Sequence, residues 1–455
     1  MNYLSSLLQS LKAGVADRRL RRVFQNAAIL LRGHAAAGLL SLLNLAVAAH
    51  ALGTREFGIL VLVHTYAMTV AELFGFESWR AFVHFGANSG RADWPHRIRL
   101  LFKFTSALDL GAALLGTLIA LLGAPVIGPW LGWDDHTIRA SLLYAGTIPF
   151  TVNATPSGVL RLFGRFDLLS LHVTLRAALR LVLTLVAYAL DCSLYGFLTA
   201  WFLSEVGGQL ILVAMGWREF RCQGLLDGMG WSLRSVTHIH TGLWRFVWSS
   251  KIDSTVKLAR GPFTILLVGG MLDPTAAGLF RVARGFALIL TRPAELLTNS
   301  IYPDLSRLMV RGEMQAARRL IVRASLLTGA AAMIAAGIML VLGKPMLALS
   351  AGPAFVAAYP VMLLLTLAAA IEAFGAALDP TLYALGRPEV AARLNAWLMI
   401  SYAPVLVLLL AEFNLPGVGY ASLLYSGLAT MVMTAATAWY FSQSYDTRAK
   451  FPLAR

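Results

Sequence analysis

Charge is what this chain has least of. Only 13% of its 455 residues are charged, while 58% are hydrophobic, and soluble domains run at about a quarter charged. So little polar surface cannot clothe a water-facing protein of this size, which excludes a soluble enzyme or nucleic-acid-binding domain. Cysteine is almost missing: Cys192 and Cys222 are the only two. Neither has a metal-ligating neighbour at useful spacing, and the expected topology puts them on opposite sides of a membrane, so no disulfide and no metal are expected. His238 and His240 share a loop without further ligands and read as solvated. The chain also lacks a Ser-His-Asp set, a metal-ligand cluster and a phosphate-binding glycine loop. No catalysis and no cofactor are expected. A secretory leader is not expected either, because the basic cluster of the first 25 residues follows its apolar residues rather than preceding them.

Long apolar runs are what is present. Stretches of about twenty residues, each long enough to cross a bilayer core, fall at 28–50, 58–84, 99–122, 140–160, 168–190, 196–216, 243–270, 276–302, 321–342, 360–382, 394–411 and 417–441. The basic residues follow these spans. Arg18, Arg19, Arg21 and Arg22 precede the first, and every second loop is basic in turn: Arg91, Arg97 and Arg99; Arg161 and Arg165; Arg218, Arg221 and Arg234. The series continues with Arg307, Arg311, Arg318, Arg319 and Arg323, then Arg387 and Arg393, then Arg448 and Lys450. Alternate loops hold only Arg55, Arg139 and Lys344. The positive-inside rule therefore puts both termini in the cytoplasm and requires an even number of spans. The excess of Lys and Arg marks the membrane, not nucleic acid. Leu4, Leu7, Leu8 and Leu11, ahead of the first arginines, suit an amphipathic segment on the inner surface.

A repeat runs at an offset of about 220 residues. Leu52 and Gly58 of the first outer turn match Leu272 and Gly278 of the seventh. Arg91, Arg99 and Leu100 match Arg311, Arg319 and Leu320, and Leu162-Phe-Gly-Arg165 matches Ala384-Leu-Gly-Arg387. Six spans per unit make the repeats parallel. The expected organisation is a cytoplasmic segment 1–25, an N-terminal lobe 26–220, a C-terminal lobe 221–441 and a tail 442–455. The fold class is an all-α polytopic membrane protein of about twelve helices, in two parallel-repeat lobes around a central cavity.

Charges inside the spans point to what that cavity holds. A cation at mid-bilayer costs on the order of 2.5–3.5 kcal/mol even on the lenient insertion scale, so such residues face away from lipid. Arg281, Arg284, Arg292, Glu295 and Asn299 form one stripe of span 8 at helical spacing. Asp253, Lys257 and Arg260 form another on span 7. Cations outnumber carboxylates on these two spans. In the N-terminal lobe Arg32, Arg80, Arg176 and Arg180 are balanced by Glu72, Glu77, Asp109 and Glu205. A basic wall suits an anion such as a diphosphate. The substrate-binding candidates are Arg281, Arg284, Arg292, Lys257, Arg260, Arg32 and Arg180. Ion coupling is assigned to Asp109, Glu72, Glu372 and Asp379, the last two expected on one face of span 10.

Residues 51–87, and Gly269–Leu308 with its DPTAAGLFRVARGF stretch, resemble the first and seventh helical regions of bacterial oligosaccharide flippases. These belong to the multidrug/oligosaccharidyl-lipid/polysaccharide exporter superfamily. Gly352-Pro353-Ala354-Phe355 and Gly386-Arg387-Pro388 resemble shorter family patterns. The resemblance implies alternating-access flipping of a polyprenyl-diphosphate-linked glycan across the bacterial inner membrane, for O-antigen, capsule or exopolysaccharide assembly. The implied partners are that glycan, membrane lipids and polysaccharide assembly proteins. A cation-coupled multidrug exporter of the same fold is the alternative, although organic cations favour an acidic cavity. A membrane polymerase or ligase of lipid-linked glycans fits less well, because the outer loops at about 123–139 and 343–358 are short.

Overall fold

The computed structural model describes residues 18–87, 94–226, 242–257, 261–310 and 312–450. Side chains of 18–27, 252–254, 256–257, 289–304, 306, 310, 388 and 444–450 are outside that description. Its elements are α1 (Arg18–Phe74), α2 (Ser78–Ala87), α3 (Trp94–Trp130), α4 (Asp135–Tyr144), a 3-10 turn (Ala145–Phe150), α5 (Ala154–Leu162), α6 (Phe166–Ala189) and α7 (Leu194–Cys222). The second half holds α8 (Leu243–Lys257), α9 (Pro262–Met271), α10 (Pro274–Val310), α11 (Met314–Ser350), a 3-10 turn (Pro353–Ala358), α12 (Tyr359–Gly375), α13 (Leu378–Ala384), α14 (Pro388–Phe413) and α15 (Pro416–Lys450). Among the described residues there is no strand.

These elements make twelve crossings, as the alternation of basic loops requires. The first two share α1, which turns at Gly53, where φ is +69°. A residue without Cβ adopts that backbone at little cost. The second crossing breaks after Phe74 and resumes in α2; the fourth is α4 and α5 around Pro149; the seventh is α8 and α9; the tenth is α12 and α13. Large apolar side chains such as Leu114, Leu118, Val126, Ile334, Val341 and Leu408 stand exposed along the helices. An outward mantle of this kind suits acyl chains, not water.

Contacts divide the chain into two compact units. Unit 1 comprises Met1–Asn44, Val70–Ala124 and Ala140–Ser254, and unit 2 comprises Leu45–Thr69, Pro125–Arg139 and Thr255–Arg455. This partition by packing differs from the repeat boundary near residue 220, because two outer segments of the first half belong with the second. Unit 1 has an aromatic core in which Phe102 stacks on Phe220 with ring centroids 4.3 Å apart, alongside Phe82, Ile98, Leu101 and Val247.

In unit 2 the matched outer turns meet. A Cβ at Gly58 would fall 1.8 Å from the carbonyl oxygen of Pro274, and one at Gly278 would fall 2.9 Å from that of Thr54. The repeat offset carries Gly58 onto Gly278 and Thr54 onto Pro274, so the two contacts are equivalent and each turn meets its counterpart in the same way, as in an isologous two-fold contact. Asp134 caps α4 by accepting from the Thr137 N–H at 2.9 Å and hydroxyl at 2.6 Å. The Thr137 hydroxyl foremost, with His136 and Arg55 adding to it, holds the Asp134 carboxyl below its ordinary range against partial burial.

Candidate functional site

The polar residues of α6 lie on one face. His172, Arg176, Arg180 and Thr184 follow at intervals of four, which stacks them along a helix. His172 and Thr184 are buried. The Thr184 hydroxyl donates to Asn44 Oδ1 at 2.7 Å, and His172 Nε2 lies 3.1 Å from the Gly208 carbonyl. Between them the two arginines meet α7. Arg180 pairs closely with Glu205, donates to Ser204 Oγ at 3.1 Å and stacks over the Trp201 ring at 5.1 Å. Arg176 reaches the other oxygen of Glu205 at 3.2 Å, and Gln209 donates to that same oxygen at 3.0 Å. Glu205 is 3% exposed in its side chain, so one buried carboxylate serves two guanidiniums. Charge here is not balanced one for one.

A second carboxylate of this lobe has neutral partners. Asp109 is buried, and the partners the structure gives it are neutral donors: Ser78 Oγ at 2.6 Å, the Thr155 N–H at 2.9 Å and the Thr155 hydroxyl at 2.7 Å. This carboxylate ties α3 to α2 and to the start of α5, instead of pairing with an arginine.

A further cation sits at the break in the second crossing. The Lys251 ammonium, 7% exposed, donates to the carbonyls of Glu72 and Gly75 at 2.7 Å each. Those carbonyls lie at the end of α1, where intrahelical donors run out. Just beyond the break Glu77 pairs with Arg80 at the expected three-residue spacing, and Arg161 stacks over Trp79 at 4.3 Å. Glu72 thus contributes a backbone acceptor to this cluster.

In unit 2, Arg281 and Arg284 stand one turn apart on α10, and Arg284 donates to the Gly261 carbonyl at 3.0 Å. Glu372 accepts from Ser426 Oγ at 2.8 Å, while Asp379 accepts from Asn395 Nδ2 at 3.3 Å. Span 10 breaks between them at residues 376–377, so they occupy α12 and α13 instead of one continuous helix face. Arg32 is exposed on α1. Arg260 and the side chains of Lys257, Arg292, Asp253, Glu295 and Asn299 lie outside the described residues, so the full stripes of spans 7 and 8 are not compared. Among the described residues no group of three or more His, Cys, Asp or Glu could hold a metal. Arg176 is the residue that sequence reasoning passed over in naming a site, and the four-residue spacing of His172, Arg176, Arg180 and Thr184 is the signal that marks it.

No family model matches the chain. It is 32% identical over 352 residues to the inner membrane protein YghQ of Escherichia coli (strain K12), a match spanning 77% of this chain and 98% of that one. The chain belongs to the YghQ family. Solved structures share this fold. An inward-facing multidrug resistance MATE family transporter of the MOP superfamily superposes with a TM-score of 0.71 at 15% identity, covering 90% of this chain and 96% of the other. The lipid II flippase MurJ, in an inward closed conformation, gives 0.72 at 12% identity over 92% and 90%. A MOP superfamily transporter from Pyrococcus furiosus gives 0.60 at 14% identity over 93% and 96%. At these identities the likeness concerns the fold: twelve helices in two lobes, on a multi-pass membrane protein.

Proposed function

We propose that this chain carries a polyprenyl-diphosphate-linked oligosaccharide from the inner to the outer leaflet of the bacterial inner membrane, by alternating access, for surface polysaccharide assembly. The observation that carries this reading is the presence of cations within the membrane-crossing helices of a transporter fold, Arg281 and Arg284 on α10 foremost. Multidrug exporters and a lipid II flippase superpose equally well, so the fold does not choose between them. Charge does. Membrane-embedded guanidiniums favour a bidentate oxyanion over an organic cation.

In this reading Arg281, Arg284 and Arg292, with Lys257, Arg260, Arg32 and Arg180, supply the field that holds the diphosphate. Asp109, Glu72, Glu372 and Asp379 are the carboxylates available for proton or sodium coupling. Transport, not bond chemistry, is the activity, and both termini lie in the cytoplasm. Replacing Arg281 and Arg292 together by Ala is expected to abolish glycan export by cells while leaving the protein in the membrane at normal abundance. Arg→Lys at either site is expected to restore it only partly, since a point charge replaces a planar fork. Normal export by the double variant would remove the diphosphate assignment.

A further inference from the structure

Arg176 is held in a way that salt-bridge formation alone does not require. Its α-carbon lies about 15 Å along α6 from Phe166 and about 20 Å from Ala189 at the usual helical rise, close to the middle of a bilayer core. Neither interface is within a side chain's reach, so snorkelling is not open to it. Yet its side chain is 41% exposed, against 17% for Arg180 one turn on. A charged side chain this open at that depth is costly to set against acyl chains and is better placed against water or an anion.

The neighbouring helix is built to keep it there. A Cβ at Gly208 would fall 2.4 Å from Arg176 Cγ and 2.8 Å from Cδ. Only a residue without a side chain lets the arginine stem lie across α7. The Gly208 carbonyl is in turn engaged by His172, one turn before Arg176. Glu205 is already occupied by Arg180 and Gln209. Among the described residues the hydrogen bond of Arg176 goes to that shared carboxylate, at 3.2 Å. A fork with five donors is thereby oriented without being neutralised one for one.

We propose that Arg176 is an oxyanion-binding residue of unit 1, seated on Gly208 and aimed by Glu205, and that it takes a phosphate or carboxylate oxygen of the transported molecule. This rests on the proposed flippase function and concerns spans 5 and 6, within unit 1 alone. The oxyanion has two chemical sources, the carrier diphosphate and an acidic sugar.

The test uses full-length protein in detergent, with binding of farnesyl diphosphate and of glucuronate measured separately by microscale thermophoresis. Arg176→Gln is expected to weaken one of the two at least tenfold, and which one identifies the source. Gly208→Ala is expected to weaken the same ligand without removing charge, because the added methyl displaces the arginine. Arg176→Lys is expected to recover only part. Gly208→Ala also keeps the test open should Arg176→Gln fail to give monodisperse protein. Farnesyl diphosphate binding that Arg281→Gln weakens but Arg176→Gln and Gly208→Ala leave unchanged, with glucuronate binding likewise indifferent to both, would overturn the role of Arg176 and spare the flippase reading. Glucuronate binding that depends on Arg176, with no farnesyl diphosphate binding by the unaltered protein, would do the reverse. Failure of the unaltered protein to bind either ligand would overturn both.

Discussion

Lys251 shows that a cation inside a membrane helix need not serve a ligand. Two of its contacts are backbone carbonyls left over where α1 ends, and its charge sits at the negative end of that helix. Lys251→Met keeps the length of the side chain and removes the donors, leaving two part-buried carbonyls without them at a cost of about 1 kcal/mol. A lower thermal midpoint of the purified protein in detergent is the expected outcome, and an unchanged midpoint would show that the break is held by other groups. Sequence could not have revealed this arrangement. Lys251 lies about 180 positions from the carbonyls it caps, and backbone acceptors leave no mark in a residue pattern. The partners of Asp109 were illegible for a related reason: a charge count cannot show that Ser78 and Thr155 donate to it through neutral hydroxyls and an N–H.

The helices divide by how well hydropathy alone could find them. Uninterrupted apolar runs such as Trp94–Trp130 or Phe166–Ala189 are long enough to cross a membrane on composition. The crossings made by α4 with α5, by α8 with α9, and by α10 do not qualify in that way. Proline and a 3-10 turn interrupt the first of these, α9 of the second starts at Pro262 behind Gly261, and arginines dilute the third. Alternation of basic loops recovered all three, because it constrains the parity of crossings rather than the purity of each. The repeat was legible in the same indirect way. Gly164 and Gly386, matched in sequence, both end a helix with positive φ, and the next residue's N–H returns to the carbonyl five positions back, Arg165 to Leu160 and Arg387 to Leu382. Gly58 and Gly278 test whether such matches matter energetically. Gly58→Ala drives a methyl into backbone at 1.8 Å, a contact with no flexible side chain to yield, whereas Gly337 has nothing within 4 Å. The expected order of thermal midpoints is Gly58→Ala below Gly278→Ala, with Gly337→Ala at or slightly above the unaltered protein, since Ala exceeds Gly in helix propensity by about 1 kcal/mol. Equal midpoints for Gly58→Ala and Gly337→Ala would mean that the two turns do not pack as closely as the structure has them.

Orientation in the membrane follows from charge acting along the whole chain, and its logic is independent of the buried arginines. Arginine and lysine resist translocation, so the loops that carry them stay inside. Twelve crossings with basic loops at every second position lead us to propose one arrangement, with both ends in the cytoplasm. The segment around Asp134 is then external. It holds few basic residues, and its exposed Arg55–Asp134 pair, at 3.6 Å, links two outer turns of unit 2. In the same arrangement the turn after Ser350 would be external, and the positions of Arg311 and Arg448 internal. Alkaline phosphatase fused after Asp134 or Ser350 is expected to be active, since it folds only outside the cytoplasm. Fusions after Arg311 or Arg448 are expected to be active only with a cytoplasmic reporter such as green fluorescent protein. Dual fusions in one strain give each position both readouts, so low expression cannot pass for the wrong side. An external signal after Arg448 would require an odd number of crossings, and with it one of the three interrupted or charged helices would have to lie outside the membrane.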